Sequence, residues 1–135
     1  MSRHHIFGIF AFSSWSVNQI DHANIGGENA PTIEFSPIYG KYLVDIASCA
    51  PCHGENFAGN TPDSDSPQGP NITPGGNPGS WSAEEFALAI RAGQTPEGRQ
   101  RNTEMPWPNY AFMTEVEVEA IWAYLQSLDT LPDNS

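Results

Sequence analysis

Three stretches of the chain repeat apolar residues at helical spacing, and the first begins beside Ser36. Ser36 is a favourable N-cap residue and Pro37 suits the first helical position, so the pair indicates the start of a helix. Apolar residues then recur at i, i+3, i+4, i+7, i+8 and i+11, the spacing of one helix face. They are Tyr39, Tyr42, Leu43, Ile46, Ala47 and Ala50. The pattern predicts a helix that leads directly into Cys49.

Two capping boxes mark the starts of the second and third predicted helices. Ser82 stands three residues before Glu85 in one of them. Thr114 stands three residues before Glu117 in the other, and each pair can satisfy free backbone amides reciprocally. Gly93 suits the left-handed position just after the second helix. The buried faces that follow are Phe86, Ala89 and Ile90 in the second helix, and Val118, Ile121, Leu125 and Leu128 in the third.

Long segments without an apolar period separate these helices, over residues 54–80 and 94–112. The first holds five prolines and six glycines, and no part of the chain alternates regularly enough to predict a strand. A loop this long in a small domain indicates a function or a large group to enclose. Three helices of about four turns or fewer bury little surface against one another, so we expect a staple or cofactor to stabilise this all-α domain.

Residues 1–35 differ from the rest and are predicted to form an N-terminal extension to a domain at 36–135. A basic start precedes seven apolar residues at 6–12, which outlines a short signal peptide. The alternative is an extension whose apolar residues dock on the domain, and residues 21–34 indicate a polar linker. Because no stretch approaches the roughly 20 apolar residues of a spanning helix, we expect membrane association only through a partner or through a segment outside this sequence.

The charge balance narrows the class of partner. Five Lys and Arg face 16 Asp and Glu in 135 residues, a length that indicates one domain, and the formal charge is −11. Nucleic-acid binding draws its affinity from basic side chains that neutralise phosphates, so this charge excludes a nucleic-acid-binding protein. It disfavours anionic membrane surfaces and allows a partner with a basic docking patch.

The chain's two cysteines lie within residues 49–53, CAPCH, which match the C-x-x-C-H attachment signature of c-type haem. The thiols of Cys49 and Cys52 suit addition to the two vinyl groups on one porphyrin edge, and His53 can then direct its imidazole at the iron. A thioredoxin-like dithiol is an alternative, although it needs a βαβ context that the pattern lacks. A zinc site and a pair of inert thiols also remain open, with the fourth zinc ligand drawn from the other histidines. Those are His4, His5 and His22.

Met105 is the candidate for a second axial ligand of such a haem, since His/Met ligation is an established electron-transfer pairing. It lies in a loop that Pro106 and Pro108 stiffen, which would hold its thioether in place. The alternative for Met105 is a gap-filling hydrophobic residue. Met113, just before the cap of the last helix, is expected in the core or at its edge. The three histidines outside the motif are expected to be solvent-exposed, and the alternative is that one of them is a rival ligand.

The order of these motifs resembles a class I c-type cytochrome over about residues 36–131. C-x-x-C-H is followed by Gly69-Pro70-Asn71-Ile72, then by Met105-Pro106, then by an aromatic-rich terminal helix. The shorter runs that also fit are 40–44, 71–74, 81–86, 105–107 and 123–125. They resemble monohaem cytochrome domains that serve bacterial dehydrogenases and respiratory chains.

The resemblance implies a class I cytochrome c fold, with three main helices and long loops wrapped around one covalent haem c. It implies attachment through Cys49 and Cys52 and axial ligation of the iron by His53 and Met105. It also implies that the backbone carbonyl of Pro70 accepts a hydrogen bond from the axial His53. That bond would fix the ring and make it a better electron donor.

Three further residues acquire expectations from the same resemblance. Gly40 corresponds to the small residue where the first and last helices cross, with Tyr124 as its aromatic neighbour. Trp81 and Arg91 are candidates to reach a haem propionate through their N–H groups. The alternatives are that Trp81 packs before its helix, that Arg91 is solvated, and that Gly40 is a tolerated mid-helix glycine costing about 1 kcal/mol.

The expected function is one-electron transfer between redox proteins, in the periplasm or another extracytoplasmic compartment. The chain is then an electron-transfer protein rather than an enzyme, either a free carrier or a subunit of a dehydrogenase or oxidase complex. The alternative is a haem enzyme or sensor, peroxidase-like, with an open sixth iron position. That alternative requires that Met105 does not bind the iron.

Overall fold

The regular structure is helical, and it places the C-x-x-C-H motif on a short turn after the first helix. The structure is a computed structural model that describes residues 30–100 and 104–134, and one compact unit begins at Thr32. Within these ranges strand-like pairing is limited to one bridge between Gln94 and Gln100, so the all-α prediction is confirmed for this part of the chain. The elements are α1 (Pro37–Ile46), α2 (Ala50–His53), a 3-10 turn (Asn77–Ser80), α3 (Ala83–Ala92), α4 (Trp107–Tyr110) and α5 (Glu115–Ser127).

Several expectations for the N-terminal extension concern residues outside the described ranges. These are the signal-like segment at 6–12 and the rival ligands His4, His5 and His22. Among the helices that the structure does describe, none has the length and apolar character needed to cross a bilayer.

Helix α1 begins at the predicted cap but ends earlier than its apolar spacing predicts. The Ser36 hydroxyl accepts a hydrogen bond from the Tyr39 backbone N–H at 3.2 Å, and Pro37 occupies the first helical turn. The prediction of one helix running directly into Cys49 is wrong, because α1 ends at Ile46. Ser48 adopts the left-handed conformation, with φ of 56°, which breaks the helical path before the motif.

The core forms where α1 crosses α5, and Gly40 lies at the closest point of that crossing. A Cβ atom on Gly40 would lie 2.9 Å from Tyr124 Cβ and closer still to the Ala120 backbone. The prediction that Gly40 marks the contact of the first and last helices is therefore confirmed. The buried residues packed around this crossing are Tyr39, Leu43, Val44, Phe57, Phe86, Ile90, Val118, Ala120, Ile121 and Leu125.

Both predicted capping boxes are confirmed. In α3 the Ser82 side chain and Glu85 satisfy each other's backbone amides, and Gly93 ends the helix with φ of 68°. In α5 Thr114 and Glu117 make the same reciprocal pair. The segment predicted as a loop over 94–112 contains the single-turn helix α4, which has a proline in its first turn, where no backbone amide is required.

Candidate functional site

Helix α2 brings the two thiols and the imidazole of the motif to one cavity. The turn is closed by hydrogen bonds from the Cys52 and His53 backbone N–H groups to the Cys49 carbonyl, at 3.2 and 2.9 Å. Both cysteines are free and partly buried, and His53 is buried. Gly54 ends the turn with φ of 87°, a conformation that favours glycine. Cys49, Cys52 and His53 all line the same cavity.

That cavity has a volume of about 420 Å³ and lies between α2 and the segment around Met105. Its size is within the range of cofactor pockets, roughly 300–1,000 Å³. A smaller cavity of about 60 Å³ shares Cys49, His53, Pro70 and Met105 with it. The remainder of the smaller cavity is lined largely by apolar side chains from α1, α3 and α5. Polar side chains form part of the lining of the larger cavity, whereas the smaller cavity is almost entirely apolar.

The imidazole of His53 is oriented by a hydrogen bond to the backbone at Pro70. Its Nδ1 lies 2.7 Å from the Pro70 carbonyl oxygen. A carbonyl can only accept, so Nδ1 donates this hydrogen bond and Nε2 of the neutral ring carries the lone pair. The ring is 5 % exposed. This arrangement presents Nε2 as the nitrogen able to bind a metal.

Gly69 contributes to the same orientation, a role that the sequence analysis did not assign to it although it belongs to the Gly69-Pro70-Asn71-Ile72 run. Its backbone N–H donates to the Cys52 carbonyl at 2.7 Å. A Cβ atom at this position would lie 2.8 Å from His53 Nδ1 and 2.9 Å from Cε1. The chain therefore passes against the ring at a distance that only glycine permits. The Gly69-Pro70 pair in the sequence was the available signal, although it is shared with ordinary turns.

Met105 lines both cavities together with His53. It is partly buried, and its carbonyl accepts a hydrogen bond from the Trp107 backbone N–H at 2.7 Å. Pro106 follows, and its carbonyl accepts from the Asn109 N–H at 2.9 Å, which ties the segment to α4. Met113 instead packs against the core and lines neither cavity, as expected from its place before the last helix.

Of the two candidates for polar contacts to a cofactor, Trp81 and Arg91, the structure places only Trp81 at a cavity described above. Trp81 is partly buried, packs against the core and lines the smaller cavity. Arg91 is not brought to either cavity, because it projects from α3 towards the segment before α5. Its Nε donates to the Met113 carbonyl at 3.1 Å. Arg99, which sequence reasoning did not single out, lines the larger cavity instead.

Burial changes the acidity of the groups around the motif. Desolvation, with smaller contributions from Cys52 and Asp45, raises the pKa of the Cys49 thiol to about 11. A thiol of a dithiol oxidoreductase reacts as a thiolate and has a lowered pKa, so this environment disfavours the thioredoxin-like alternative. Burial, together with both cysteines, also raises the pKa of Tyr110.

The donor set supports a covalently attached haem better than a zinc ion. Two thiols, an imidazole and a thioether surround one cavity, and a ring nitrogen with a thioether sulfur is a recognised axial pair for haem iron. A structural zinc site needs four ligands around one point. No group of three or more His, Cys, Asp or Glu residues suited to a metal ion occurs among the residues that the structure describes.

Comparisons with known proteins agree with this donor set. The family model described as Cytochrome c matches residues 38–129. The cytochrome c subunit of gluconate 2-dehydrogenase from Pantoea cypripedii is 34% identical over 95 residues, which cover 63% of this chain and 21% of that protein. The fructose dehydrogenase cytochrome subunit of Gluconobacter japonicus is 34% identical over 99 residues, covering 65% and 20%.

A third relative is the cytochrome c subunit of the quinone-dependent alcohol dehydrogenase from Gluconacetobacter polyoxogenes. It is 32% identical over 97 residues, which cover 63% of this chain and 20% of the relative. The matched region therefore spans about a fifth of the length of these relatives. No solved structure matches the chain significantly.

Proposed function

Because the chain belongs to the cytochrome c family, whose cofactor is a covalent haem c, we propose that it is a one-electron carrier with His53 and Met105 as axial ligands. When bound, the haem supplies one-electron exchange between ferrous and ferric iron. The proposal rests on one observation above all. His53 on α2 and Met105 before α4 are far apart in sequence and line the same two cavities.

Each residue has a separate part in holding the cofactor. Cys49 and Cys52 provide the covalent tether from one helical turn. His53 provides Nε2 as the ligand atom. Because its Nδ1–H donates a hydrogen bond to the Pro70 carbonyl, Nε2 becomes more electron-rich. Met105 provides a thioether, a weak donor that raises the reduction potential. Trp81 contributes apolar surface at the smaller cavity.

The partner is proposed to be a redox protein of an extracytoplasmic electron-transfer system. The relatives are cytochrome subunits of gluconate, fructose and alcohol dehydrogenases, so a dehydrogenase is the first class of partner to test. In such an arrangement this chain transfers electrons, and the partner acts on the substrate. The periplasm is the corresponding location.

The optical and EPR spectra of the purified protein test the function. The chain should be produced with the machinery that attaches c-type haem, and the wild type is expected to retain haem after denaturation and to give a low-spin spectrum. Replacing both Cys49 and Cys52 by Ser should abolish covalent retention. A high-spin wild type would support a haem enzyme or sensor instead. A wild type without covalent haem would reject both functions.

The acidic charge predicts electrostatic steering of the partner. With a formal charge of −11, the bimolecular rate of electron transfer to a basic soluble cytochrome should fall by about tenfold or more as salt rises from low to high concentration. Stopped-flow absorbance measures this rate. The control is reduction by a small uncharged reductant, whose rate should change little. A flat or rising rate with the basic cytochrome would contradict electrostatic steering by the acidic charge of this chain, and with it the inference that the partner has a basic docking patch.

A further inference from the structure

The C-terminal tail, residues 128–134, returns from α5 to the loop that orients His53. The Asn134 backbone N–H donates to the Ala58 carbonyl at 2.9 Å, and its side chain donates to the Gly59 carbonyl at 2.7 Å. The Leu131 backbone N–H lies 3.4 Å from the Thr73 hydroxyl. The tail is thus bound along its length to the segments on either side of Pro70.

Asn71 is the centre of these contacts, and its side-chain amide is fully used. Its Nδ2 donates to the Leu131 carbonyl at 2.9 Å and to Asp133 Oδ1 at 3.0 Å. Its Oδ1 accepts from the Thr73 backbone N–H at 2.9 Å and from the Thr73 hydroxyl at 2.7 Å. Two donors and two acceptors exhaust the bonding capacity of an amide. Asn71 is 4 % exposed and Thr73 is completely buried, so water does not readily replace the bonds between these two residues. Asp133 is exposed, and its carboxylate reaches Asn71 from the surface.

The peptide group between Pro70 and Asn71 connects the Asn71 side chain to the hydrogen bond that His53 donates. The carbonyl of Pro70 and the backbone nitrogen of Asn71 belong to the same planar unit. Holding the Asn71 side chain therefore restrains this peptide group, and with it the direction of the carbonyl that accepts the His53 Nδ1 proton at 2.7 Å. Gly69, on the other side of Pro70, contributes no side chain that could hold this carbonyl in place.

We propose that Asp133 is a positioning residue for His53, because its carboxylate holds Asn71 and thereby the Pro70 carbonyl against the ring. Part of this inference rests on the proposed function, since His53 must be an axial ligand for the reduction potential to report it. A looser Pro70 carbonyl weakens the hydrogen bond from Nδ1. His53 then donates less electron density, oxidised iron is less stabilised, and the reduction potential rises.

Two substitutions of Asp133 distinguish its positioning role from an effect of its negative charge. Asp133→Asn removes the negative charge and keeps an acceptor for Asn71, whereas Asp133→Ala removes both. We expect Asp133→Ala to shift the reduction equilibrium about threefold further towards the reduced form than Asp133→Asn does. At 59 mV per tenfold change, the reduction potential of Asp133→Ala is then about 28 mV higher than that of Asp133→Asn. Spectroelectrochemical titration measures the shift. The solvent exchange of the His53 Nδ1 proton, followed by NMR in the reduced state, should be several-fold faster in Asp133→Ala.

Gln126→Ala is the matched control for a general loss of C-terminal contacts. Gln126 Nε2 donates to the Pro78 carbonyl at 3.2 Å, so this variant also loses a side-chain bond between the C-terminal region and a loop, without involving Asn71. Its thermal stability should fall while its potential and Nδ1 exchange stay at the wild-type values. A chain ended after Thr130 should show a larger rise in potential than one ended after Asn134.

The outcomes distinguish failure of this inference from failure of the proposed function. Equal potentials and equal Nδ1 exchange rates in Asp133→Ala and Asp133→Asn, in a protein whose wild type has low-spin covalent haem, overturn the positioning role alone. A shift in Gln126→Ala as large as that in Asp133→Ala also overturns it. A wild type without low-spin covalent haem overturns the proposed function and this inference with it.

Discussion

Replacing Met105 by alanine should convert the low-spin haem spectrum at neutral pH completely to a high-spin spectrum. Alanine carries no donor atom, and Met105 is the thioether that lines both cavities beside His53. The reduction potential should fall as well, because the thioether stabilises reduced iron. Covalent attachment should persist, since Cys49 and Cys52 are unchanged. Optical and EPR spectra report the spin state, and a redox titration reports the potential.

Met113→Ala is the matched control for this substitution. Met113 packs at the edge of the core and lines neither cavity, so its loss should lower stability and leave the haem low-spin. Removing a partly buried methionine leaves a cavity and costs about 2 kcal/mol or more. A low-spin Met105→Ala protein would show that another residue binds the iron. A high-spin Met113→Ala protein would identify Met113 as that residue.

Helix starts were predictable because their signals are local, whereas the end of α1 was not. The cap residues Ser36, Ser82 and Thr114 each accept from an amide within one turn, so the sequence contains the complete signal. The helical spacing continues to Ala47 and Ala50 although α1 has ended. Ala47 lines the larger cavity, and Ala50 packs against the core from α2. An apolar residue that faces a cavity has the same sequence signature as one that faces another helix.

The candidate donor atoms of the site were predictable for a similar reason, and their surroundings were not. C-x-x-C-H is a local motif, and Met105 stands out because prolines follow it closely. Arg91 has the right chemistry for a propionate, but helical spacing does not say whether a long side chain reaches a cavity or a backbone carbonyl. Arg99 and Tyr110 line the larger cavity without any local pattern to indicate it.

The contacts of the C-terminal tail were beyond prediction from sequence for a further reason. The bond from Asn71 to the Leu131 carbonyl joins positions 60 residues apart, and its acceptor is a backbone atom that every residue possesses. No residue type at position 131 could indicate that bond. The same holds for Pro70, whose carbonyl could be assigned to His53 only through resemblance to a family.

Gly40→Ala should cause a large loss of stability although it adds only a single methyl group. Alanine is normally favoured over glycine within a helix by about 1 kcal/mol. Here the new Cβ would lie 2.5 Å from the Ala120 carbonyl carbon and 2.9 Å from Tyr124 Cβ. The obstacle is the backbone of α5, which cannot rotate away as a side chain could. The two helices must separate, and we expect the free energy of unfolding to fall by about 3 kcal/mol or more.

Urea unfolding of the haem-loaded protein measures this loss, and Gly98→Ala provides the comparison. Gly98 has φ of 79°, and a Cβ atom added there would meet no other atom within 4 Å, so alanine carries only the backbone penalty of about 1–2 kcal/mol. Gly40 lines neither cavity, so the Gly40→Ala protein should remain low-spin where it is folded. A loss no greater than that of Gly98→Ala would mean that α1 and α5 can separate freely, and that their crossing does not limit the stability of the fold. A low-spin protein with a lowered unfolding midpoint would instead show that helix packing and iron ligation are determined by different residues.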